Sequence, residues 1–193
     1  SRERETDNAC FSTGGKIIVR KNGSDDVVAD TKDILLPGKH NLENVCAAVM
    51  AAKLAQVGSK HIVTVLQSFT GLEHRLELVR EIDGVKYYDD SFSTTPETAI
   101  AAIEAFPNPK ILILGGSNKG SDFTDLGRTL REDESIKAII GVGEEWYRIR
   151  EELGIKNQES RILLVEGAEG MHQIVLAAEK IATKGDGVLL SPA

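Results

Sequence analysis

The sequence has few cysteines and no long apolar run. Cys10 and Cys46 are its only two cysteines, they are far apart, and they match no metal-ligand spacing. No apolar run reaches the length that spans a bilayer. These absences argue against a disulfide-stabilised or membrane protein, and they predict two incidental thiols in a reducing, cytoplasmic compartment.

Two phosphate-binding fingerprints are also absent. The P-loop spacing G-x-x-x-x-G-K-[ST] occurs nowhere, and the glycines at 115–116 do not form G-x-G-x-x-G. The net charge of −7 and pI of about 5.2 argue against binding to nucleic acid or to an anionic membrane.

The first third of the chain alternates short strands with turns and then becomes helical. The predicted strands are 16–20, 27–30 and 33–36, and the predicted helices are 41–58 and 59–69. Asn22-Gly23 is a typical two-residue hairpin turn, so this part is expected to form a small antiparallel sheet beside two helices.

The rest of the chain alternates buried strands and helices. The predicted strands are 76–82, 85–90, 110–116, 137–143, 161–167 and 187–191, and the predicted helices are 96–106, 124–133, 144–154 and 168–183. Asp83-Gly84 predicts a hairpin between the first two strands. Continuous Ile/Leu/Val strands separated by helices predict an α/β fold with a mostly parallel sheet covered on both faces.

The domain boundary is predicted near residues 70–72. A first domain would cover 1–70 and a second 71–193. The chain starts without Met and stops just after an apolar strand, at Ser191-Pro192-Ala193, so we expect a piece of a longer protein.

Polar side chains concentrate between strand 85–90 and helix 96–106, at Asp89, Asp90, Ser91, Ser93, Thr94 and Thr95. A strand end that leads into a helix is where open α/β sheets bind ligands, because free N–H groups point outward there. Asp89 and Asp90 could hold Mg²⁺ or a ribose. The alternative is a capped turn without a ligand, with Thr94 or Thr95 as the N-cap.

Four further residues are candidates for ligand contacts. Asn41 and Asn44 are spaced to share one face of a helix, where amides suit a base or phosphate edge; Asn41 could instead be a plain N-cap. Arg75 could bind phosphate with its planar fork or form a surface ion pair with Glu73. Lys119 follows a glycine turn and could offer a cation or remain solvated.

Other conspicuous residues are expected to be scaffold. Trp146 and Tyr147 begin a helix and are predicted to pack. Glu144, Glu145, Glu151 and Glu152 are predicted to form a solvated helix face.

The order of these motifs resembles the Mur ligases, most closely the member that adds D-glutamate. The motifs are GKHN-x-x-N (38–44), G-L-x-H-R (71–75), D-D-S-x-x-T (89–94), GG-x-x-K (115–119) and LLSPA (189–193). The resemblance covers about residues 10–193. It implies the C-terminal part of a central P-loop-type ATPase domain over 1–70, followed by a Rossmann-like amino-acid-binding domain, truncated at its C-terminus, over 71–193.

The resemblance also implies an activity. Such enzymes use ATP and Mg²⁺ to convert a carboxylate of UDP-N-acetylmuramoyl-L-alanine into an acyl phosphate, which the amine of D-glutamate attacks. The matching positions are Asn41, Asn44, Arg75 and Asp90 on the ATP side, and Thr94 and Lys119 on the D-glutamate side. Metal ligands are expected upstream, so no catalytic residue is assigned within this chain. We expect the protein to be a monomer, and we expect this piece of it to be inactive on its own.

The chain departs from the family pattern at Phe92, where the family usually has a lysine, so one cationic contact is missing or comes from elsewhere. The chain also ends before a serine and an aromatic residue that help hold D-glutamate in the family. Another Mur ligase or a folylpolyglutamate synthase would share the fold and chemistry. A noncatalytic Rossmann-like nucleotide-binding domain and a structural interaction module are the alternatives from other classes.

Overall fold

The structure, a computed structural model, describes residues 6–117, 119–155 and 160–193. The chain forms two compact units, the first ending at Gly71 and the second beginning at Leu72. Each unit has its own hydrophobic core. No helix in the described ranges combines the length and apolar character needed to cross a membrane.

The first unit packs two helices against a three-stranded antiparallel sheet in the order β1-β2-β3. Its elements are β1 (Ala9–Thr13), β2 (Lys16–Lys21), β3 (Ser24–Asp30), α1 (Lys39–Leu54) and α2 (Ser59–Leu66), with a short 3₁₀ turn at Thr31–Asp33. Asn22 and Gly23 have φ angles of 50° and 76°, the left-handed pair that a two-residue hairpin turn requires. The predicted hairpin is therefore confirmed.

Two strand predictions in this unit were incomplete or wrong. Strand β1 was missed because only Cys10 in it is buried, so it lacks an apolar signature. The predicted strand 33–36 does not form, since a 3₁₀ turn at Thr31–Asp33 ends β3 and the chain leaves the sheet. Ile34 and Leu36 instead pack against the core from a loop.

Helix α1 begins and ends earlier than its pattern suggests. Gly38 is at the N-cap position, so Asn41 lies inside the first turn and the N-cap interpretation of Asn41 is wrong. At the other end, Gln56 adopts φ of 62°, and the N–H of Val57 donates to the carbonyl of Ala52 (2.9 Å). This is a Schellman ending with glutamine where glycine is usual, so the helix stops before Gly58.

The second unit is built on a six-stranded sheet in the order β4-β5-β9-β6-β7-β8. Its strands are β4 (Glu77–Ile82), β5 (Val85–Asp89), β6 (Lys110–Gly116), β7 (Ile136–Gly143), β8 (Leu163–Val165) and β9 (Gly187–Leu190). Its helices are α3 (Pro96–Glu104), α4 (Thr124–Glu132), α5 (Glu145–Leu153) and α6 (Gly170–Ile181). Among the strand pairs of this sheet that the structure describes, the β4–β5 hairpin is antiparallel and the other four are parallel, which confirms the predicted mostly parallel α/β sheet.

Helices cover both faces of this sheet, as predicted. Along β6, Leu112 and Leu114 pack with α3, α4 and α5 on one face, and Ile111 and Ile113 pack with α6 on the other. This alternation follows from the two-residue period of a strand. Since β5, β9 and β6 are parallel, their carboxyl ends lie at one edge, with Leu190 in register with both Asp89 and Ile113.

A close contact between β7 and α5 fixes how α5 packs on the sheet. A Cβ atom added to Gly141 would lie 2.2 Å from the indole ring of Trp146, which is 3% exposed. We therefore expect Gly141→Ala to displace Trp146 and to lower the free energy of unfolding by about 1–3 kcal/mol, as overpacking usually does. Urea unfolding of the chain would measure this change.

Gly187→Ala provides a matched control in the same sheet. The nearest heavy atom to its added Cβ would be 3.8 Å away, in the ring of Tyr88. A loss below about 1 kcal/mol is expected there, because the new methyl meets only ordinary van der Waals contact. Equal losses in the two variants would contradict the packing role assigned to Gly141.

Candidate functional site

The carboxyl edge of the second sheet gathers three loops. They follow β5, β6 and β9 and carry residues 90–95, Lys119 and Ser191 respectively. Backbone bonds align them: the N–H of Asp90 donates to the carbonyl of Leu190 (2.8 Å), and the N–H of Ser191 donates to that of Ile113 (3.2 Å). This is the edge at which open α/β sheets bind ligands.

Asp90 is buried at the centre of this edge, with 2% of its surface exposed. Its carboxylate accepts hydrogen bonds from the N–H of Leu76 (3.1 Å), from the hydroxyl of Ser191 (2.9 Å) and from the hydroxyl of Ser93. The side chain therefore joins the start of the second unit to the loops after β5 and β9. Both carboxylate oxygens are used internally, so a ribose would have to compete with these donors.

Removing this carboxylate should destabilise the second unit. Asp90→Ala leaves one buried N–H and two buried hydroxyls without their acceptor, so we expect a loss of about 2–4 kcal/mol in the free energy of unfolding. Ser191→Ala removes only one of the three bonds, so about 1 kcal/mol is expected. Urea denaturation would compare them, and a loss in Asp90→Ala no larger than in Ser191→Ala would contradict the central role of this carboxylate.

Asp89 lies beside a histidine that our sequence interpretation left without a role. Its Oδ2 is 2.7 Å from Nδ1 of His74, and Glu77 Oε2 accepts a hydrogen bond from the N–H of His74 (2.8 Å). His74, Glu77 and Asp89 each offer one ligand atom, and all three atoms lie within 4.8 Å of one another. These groups are of types that bind divalent cations. The ring of Phe92 packs edge-on against His74, with centroids 5.8 Å apart.

The proton equilibria of His74 and Asp89 are coupled through their hydrogen bond. The carboxylate of Asp89 raises the pKa of His74. Burial alone would raise the pKa of Asp89, but hydrogen bonds from His74 and Ser91 more than offset it, and the pKa of Asp89 is lowered. The pairing of His74 with Asp89 therefore stabilises the fold fully at pH values below 6.5, the pKa of an unfolded histidine. This stabilisation is lost as the pH rises through the raised pKa of His74 in the folded protein. The stabilisation that comes from the charged form of Asp89 is lost as the pH falls through the lowered pKa of this aspartate.

An NMR titration of the His74 ring would test the cause of its shift. We expect Asp89→Asn to lower the pKa of His74 most, because it removes the hydrogen-bonded charge. Glu77→Gln should lower this pKa less and Glu73→Gln least, since each removes only a nearby charge. An unchanged His74 pKa in Asp89→Asn would contradict the pairing.

The structure brings Thr94 and Lys119 together. The Nζ of Lys119 donates to the backbone carbonyl of Thr94 (3.1 Å), and both residues are exposed. Thr95 is the N-cap of α3, and its N–H donates to Oγ1 of Thr98 (3.2 Å). The ammonium group therefore lies beside the N-terminus of α3, and a lysine and a helix N-terminus both favour a carboxylate.

The loop that carries Lys119 rests on a glutamate that we predicted to be solvated. Glu145 has no exposed surface, and its Oε1 accepts a hydrogen bond from the backbone N–H of Lys119 (2.8 Å). The solvated-face prediction is wrong for Glu145, because this first-turn residue of α5 points under the loop. Trp146 is buried as predicted, but Tyr147 is 69% exposed, so its predicted packing is also wrong.

The remaining predicted contacts are Asn41 and Asn44 in the first unit and Arg75 in the second. Asn41 Nδ2 donates to the carbonyl of Pro37 (2.7 Å), and Asn44 Nδ2 donates to Asn41 Oδ1 (3.2 Å), so the two amides share one helix face as expected. Arg75 is exposed, and no carboxylate in the described ranges, Glu73 included, forms an ion pair with it.

Comparison with protein families identifies the second unit. The family described as "Mur ligase, glutamate ligase domain" matches residues 74–193. Two curated relatives are named UDP-N-acetylmuramoylalanine–D-glutamate ligase. The one from Pelotomaculum thermopropionicum is 40% identical over all of this chain and 41% of its own length. The one from Thermoanaerobacter sp. (strain X514) is 36% identical over all of this chain and 42% of its own length. The chain thus spans about two fifths of these relatives.

Solved structures resemble the fold. The MurF ligase from Thermotoga maritima, determined in complex with ADP, gives a TM-score of 0.63 at 20% identity and covers 95% of this chain and 41% of its own. A pseudomurein peptide ligase type C from Methanothermus fervidus gives a TM-score of 0.64 at 15% sequence identity, and the match covers 97% of this chain and 39% of the ligase chain. At these identities the likeness concerns the fold alone.

Proposed function

The chain belongs to the Mur ligase family, and on that premise we propose that it is the amino-acid-binding part of an ATP-dependent, cytoplasmic ligase that adds D-glutamate to UDP-N-acetylmuramoyl-L-alanine in peptidoglycan precursor synthesis. Relatives named as D-glutamate ligases match the whole chain at 36–40% identity, which supports this substrate. The activity belongs to a longer protein, since the chain spans only about two fifths of those relatives.

The placement of Lys119 carries the proposal. Its ammonium group lies 3.1 Å from the carbonyl of Thr94, beside the N-cap of α3. D-glutamate brings carboxylates to the site, and charge-assisted hydrogen bonds from a lysine are among the stronger polar contacts. Thr94 adds an exposed hydroxyl at the same place. We therefore assign Thr94 and Lys119 to the D-glutamate carboxylates.

The proposed ATP contacts are Asn41, Asn44, Arg75 and Asp90. No group in the described ranges donates to the Oδ1 of Asn44, and this exposed amide suits a purine edge. The exposed guanidinium of Arg75 suits a phosphate, which it can bind with two parallel hydrogen bonds. The buried Asp90 fits less directly, and we propose that its main effect on the nucleotide is to hold the adjoining loops in place.

The proposed chemistry needs positioning more than covalent participation by this chain. Phosphoryl transfer from ATP makes an acyl phosphate on the acceptor carboxylate, the amine of D-glutamate attacks it, and the tetrahedral intermediate expels phosphate. In this scheme Arg75 neutralises phosphate charge and Lys119 orients the incoming amino acid. The first unit would be the end of the central ATPase domain, and we expect the Mg²⁺ ligands upstream of this chain.

The amino acid that supports turnover would test the substrate. The full-length enzyme that carries this chain should release phosphate from ATP and Mg²⁺ with UDP-N-acetylmuramoyl-L-alanine when D-glutamate is the only amino acid present. L-alanine, diaminopimelate and L-glutamate should give at most background rates. Turnover with one of these amino acids instead of D-glutamate would show that the chain belongs to another Mur ligase. Turnover with a folate acceptor and glutamate would show that it belongs to a folylpolyglutamate synthase.

Lys119→Ala should weaken D-glutamate use specifically. Loss of a charge-assisted contact of about 1.5–3 kcal/mol predicts a rise in the KM for D-glutamate of about 10–100-fold. The KM for ATP should change little. Lys184→Ala is the control, because Lys184 lies against Gly84 in the β4–β5 turn, at the other end of β5. A KM for D-glutamate that stays unchanged in Lys119→Ala would contradict the assignment.

A further inference from the structure

The glycine-rich loop after β6 does not hold its lysine by itself. Gly115 and Gly116 at the end of β6, and Gly120 directly after Lys119, have φ angles of 133°, 130° and 72°, which L-residues rarely adopt. Glycines at such angles allow the turn but lose the most conformational freedom when ordered. Contacts from outside this glycine-rich turn therefore contribute to the position of Lys119.

Glu145 supplies that fixation on the N–H side of the loop. Its carboxylate is fully buried, and its Oε1 accepts the backbone N–H of Lys119 (2.8 Å). Arg148, one turn along α5, donates its Nη1 to both oxygens of Glu145 (3.1 and 2.9 Å). Burial alone would raise the pKa of Glu145, but these donors lower it, which keeps the carboxylate charged at neutral pH.

Arg148 holds the carbonyl side of the same loop. Its Nη2 donates to the carbonyl of Ser121 (2.5 Å), and its guanidinium carbon lies 5.2 Å from the ring centroid of Phe123. Phe123 is 2% exposed and belongs to the core under α4 and α5. One ion pair on α5 thus binds an N–H and a C=O of the loop and connects both to the core.

A buried carboxylate is costly unless its bonds serve the structure, and an apolar residue would fill the same space without that cost. An apolar residue could make neither the bond to the backbone N–H of Lys119 nor the bonds to Arg148, and both sets of bonds hold the chain around Lys119. We infer that Glu145 is a positioning residue that holds Lys119 at the N-terminus of α3 and thereby sets the affinity of the site for the carboxylate of the incoming amino acid. This inference rests on the proposed role of Lys119.

Glu145→Gln in the full-length enzyme would test the inference. The amide has one acceptor oxygen for the donors of Lys119 and Arg148, and its NH₂ faces the guanidinium. We expect the KM for D-glutamate to rise about 3–30-fold, less than in Lys119→Ala, with kcat and the KM for ATP changed less than about twofold. Arg148→Lys, at a half-exposed side chain, should shift the same KM in the same direction if Glu145→Gln fails to fold.

Asp186→Asn is the matched control. Asp186 is also a buried carboxylate, 4% exposed, bound by Lys137 Nζ (2.5 Å) and by the N–H of Thr183 (2.7 Å). It precedes β9 and therefore lies at the amino end of that strand, away from the site. We expect it to lower thermal stability without changing the KM for D-glutamate. An equal KM rise in Asp186→Asn would mean general destabilisation and would overturn the inference.

The double variant Glu145→Gln/Lys119→Ala separates this inference from the proposed function. If Glu145 acts through Lys119, adding Glu145→Gln to Lys119→Ala should change the KM for D-glutamate less than twofold further. If Glu145→Gln raised the KM for D-glutamate in the Lys119→Ala background as much as it does alone, or did not raise it alone, the positioning role of Glu145 would be overturned. Lys119 would still stand as a ligand contact. No effect of Lys119→Ala itself would overturn the proposed function first, and the inference with it.

Discussion

The buried carboxylate of Asp90 is the interaction on which the organisation of the second unit's ligand edge depends. It accepts hydrogen bonds from three chain segments: the residue preceding β4, the loop after β5 and the loop after β9. Parallel pairing of β5, β9 and β6 brings these segments to one edge, but it does not fix their loops. A single side chain bonded to each segment does so, and burial strengthens each of those bonds. The loop before α3 is thereby held where Thr94 faces Lys119.

The sequence predicted the layers of the fold and most element positions well. The hairpin turns Asn22-Gly23 and Asp83-Gly84 were recognisable because type I′ turns demand residues that tolerate positive φ. The buried strands were recognisable because sheets covered on both faces require continuous apolar runs. Thr94 and Lys119 were candidates from the polar loop and the glycine turn, the family resemblance added their role towards D-glutamate, and the structure places them in contact although they are far apart along the chain. The roles of Asn41, Asn44, Arg75 and Asp90 towards ATP stay predictions.

Three further features could not be predicted from local sequence patterns. Gln56 ends α1 in a conformation that usually selects glycine. A β-bulge between Leu78 and Arg80 shifts the hairpin register and places Glu77 opposite Asp89, so the cluster with His74 was not apparent from the turn alone. Glu145 looks like an exposed helix-start residue, because the N–H it binds lies 26 positions away in the sequence. Charged residues that support a loop from within the core have no periodic signature.

The central proposal is that Lys119 and the N-terminus of α3 bind a carboxylate of D-glutamate. Titration of the isotope-labelled full-length enzyme that carries this chain with millimolar D-glutamate, followed by amide chemical shifts, tests it most directly. The account predicts saturable shifts at Thr94, Lys119 and the first turn of α3, and much weaker ones with L-glutamate. Shifts confined to other surfaces, or none at all, would contradict it.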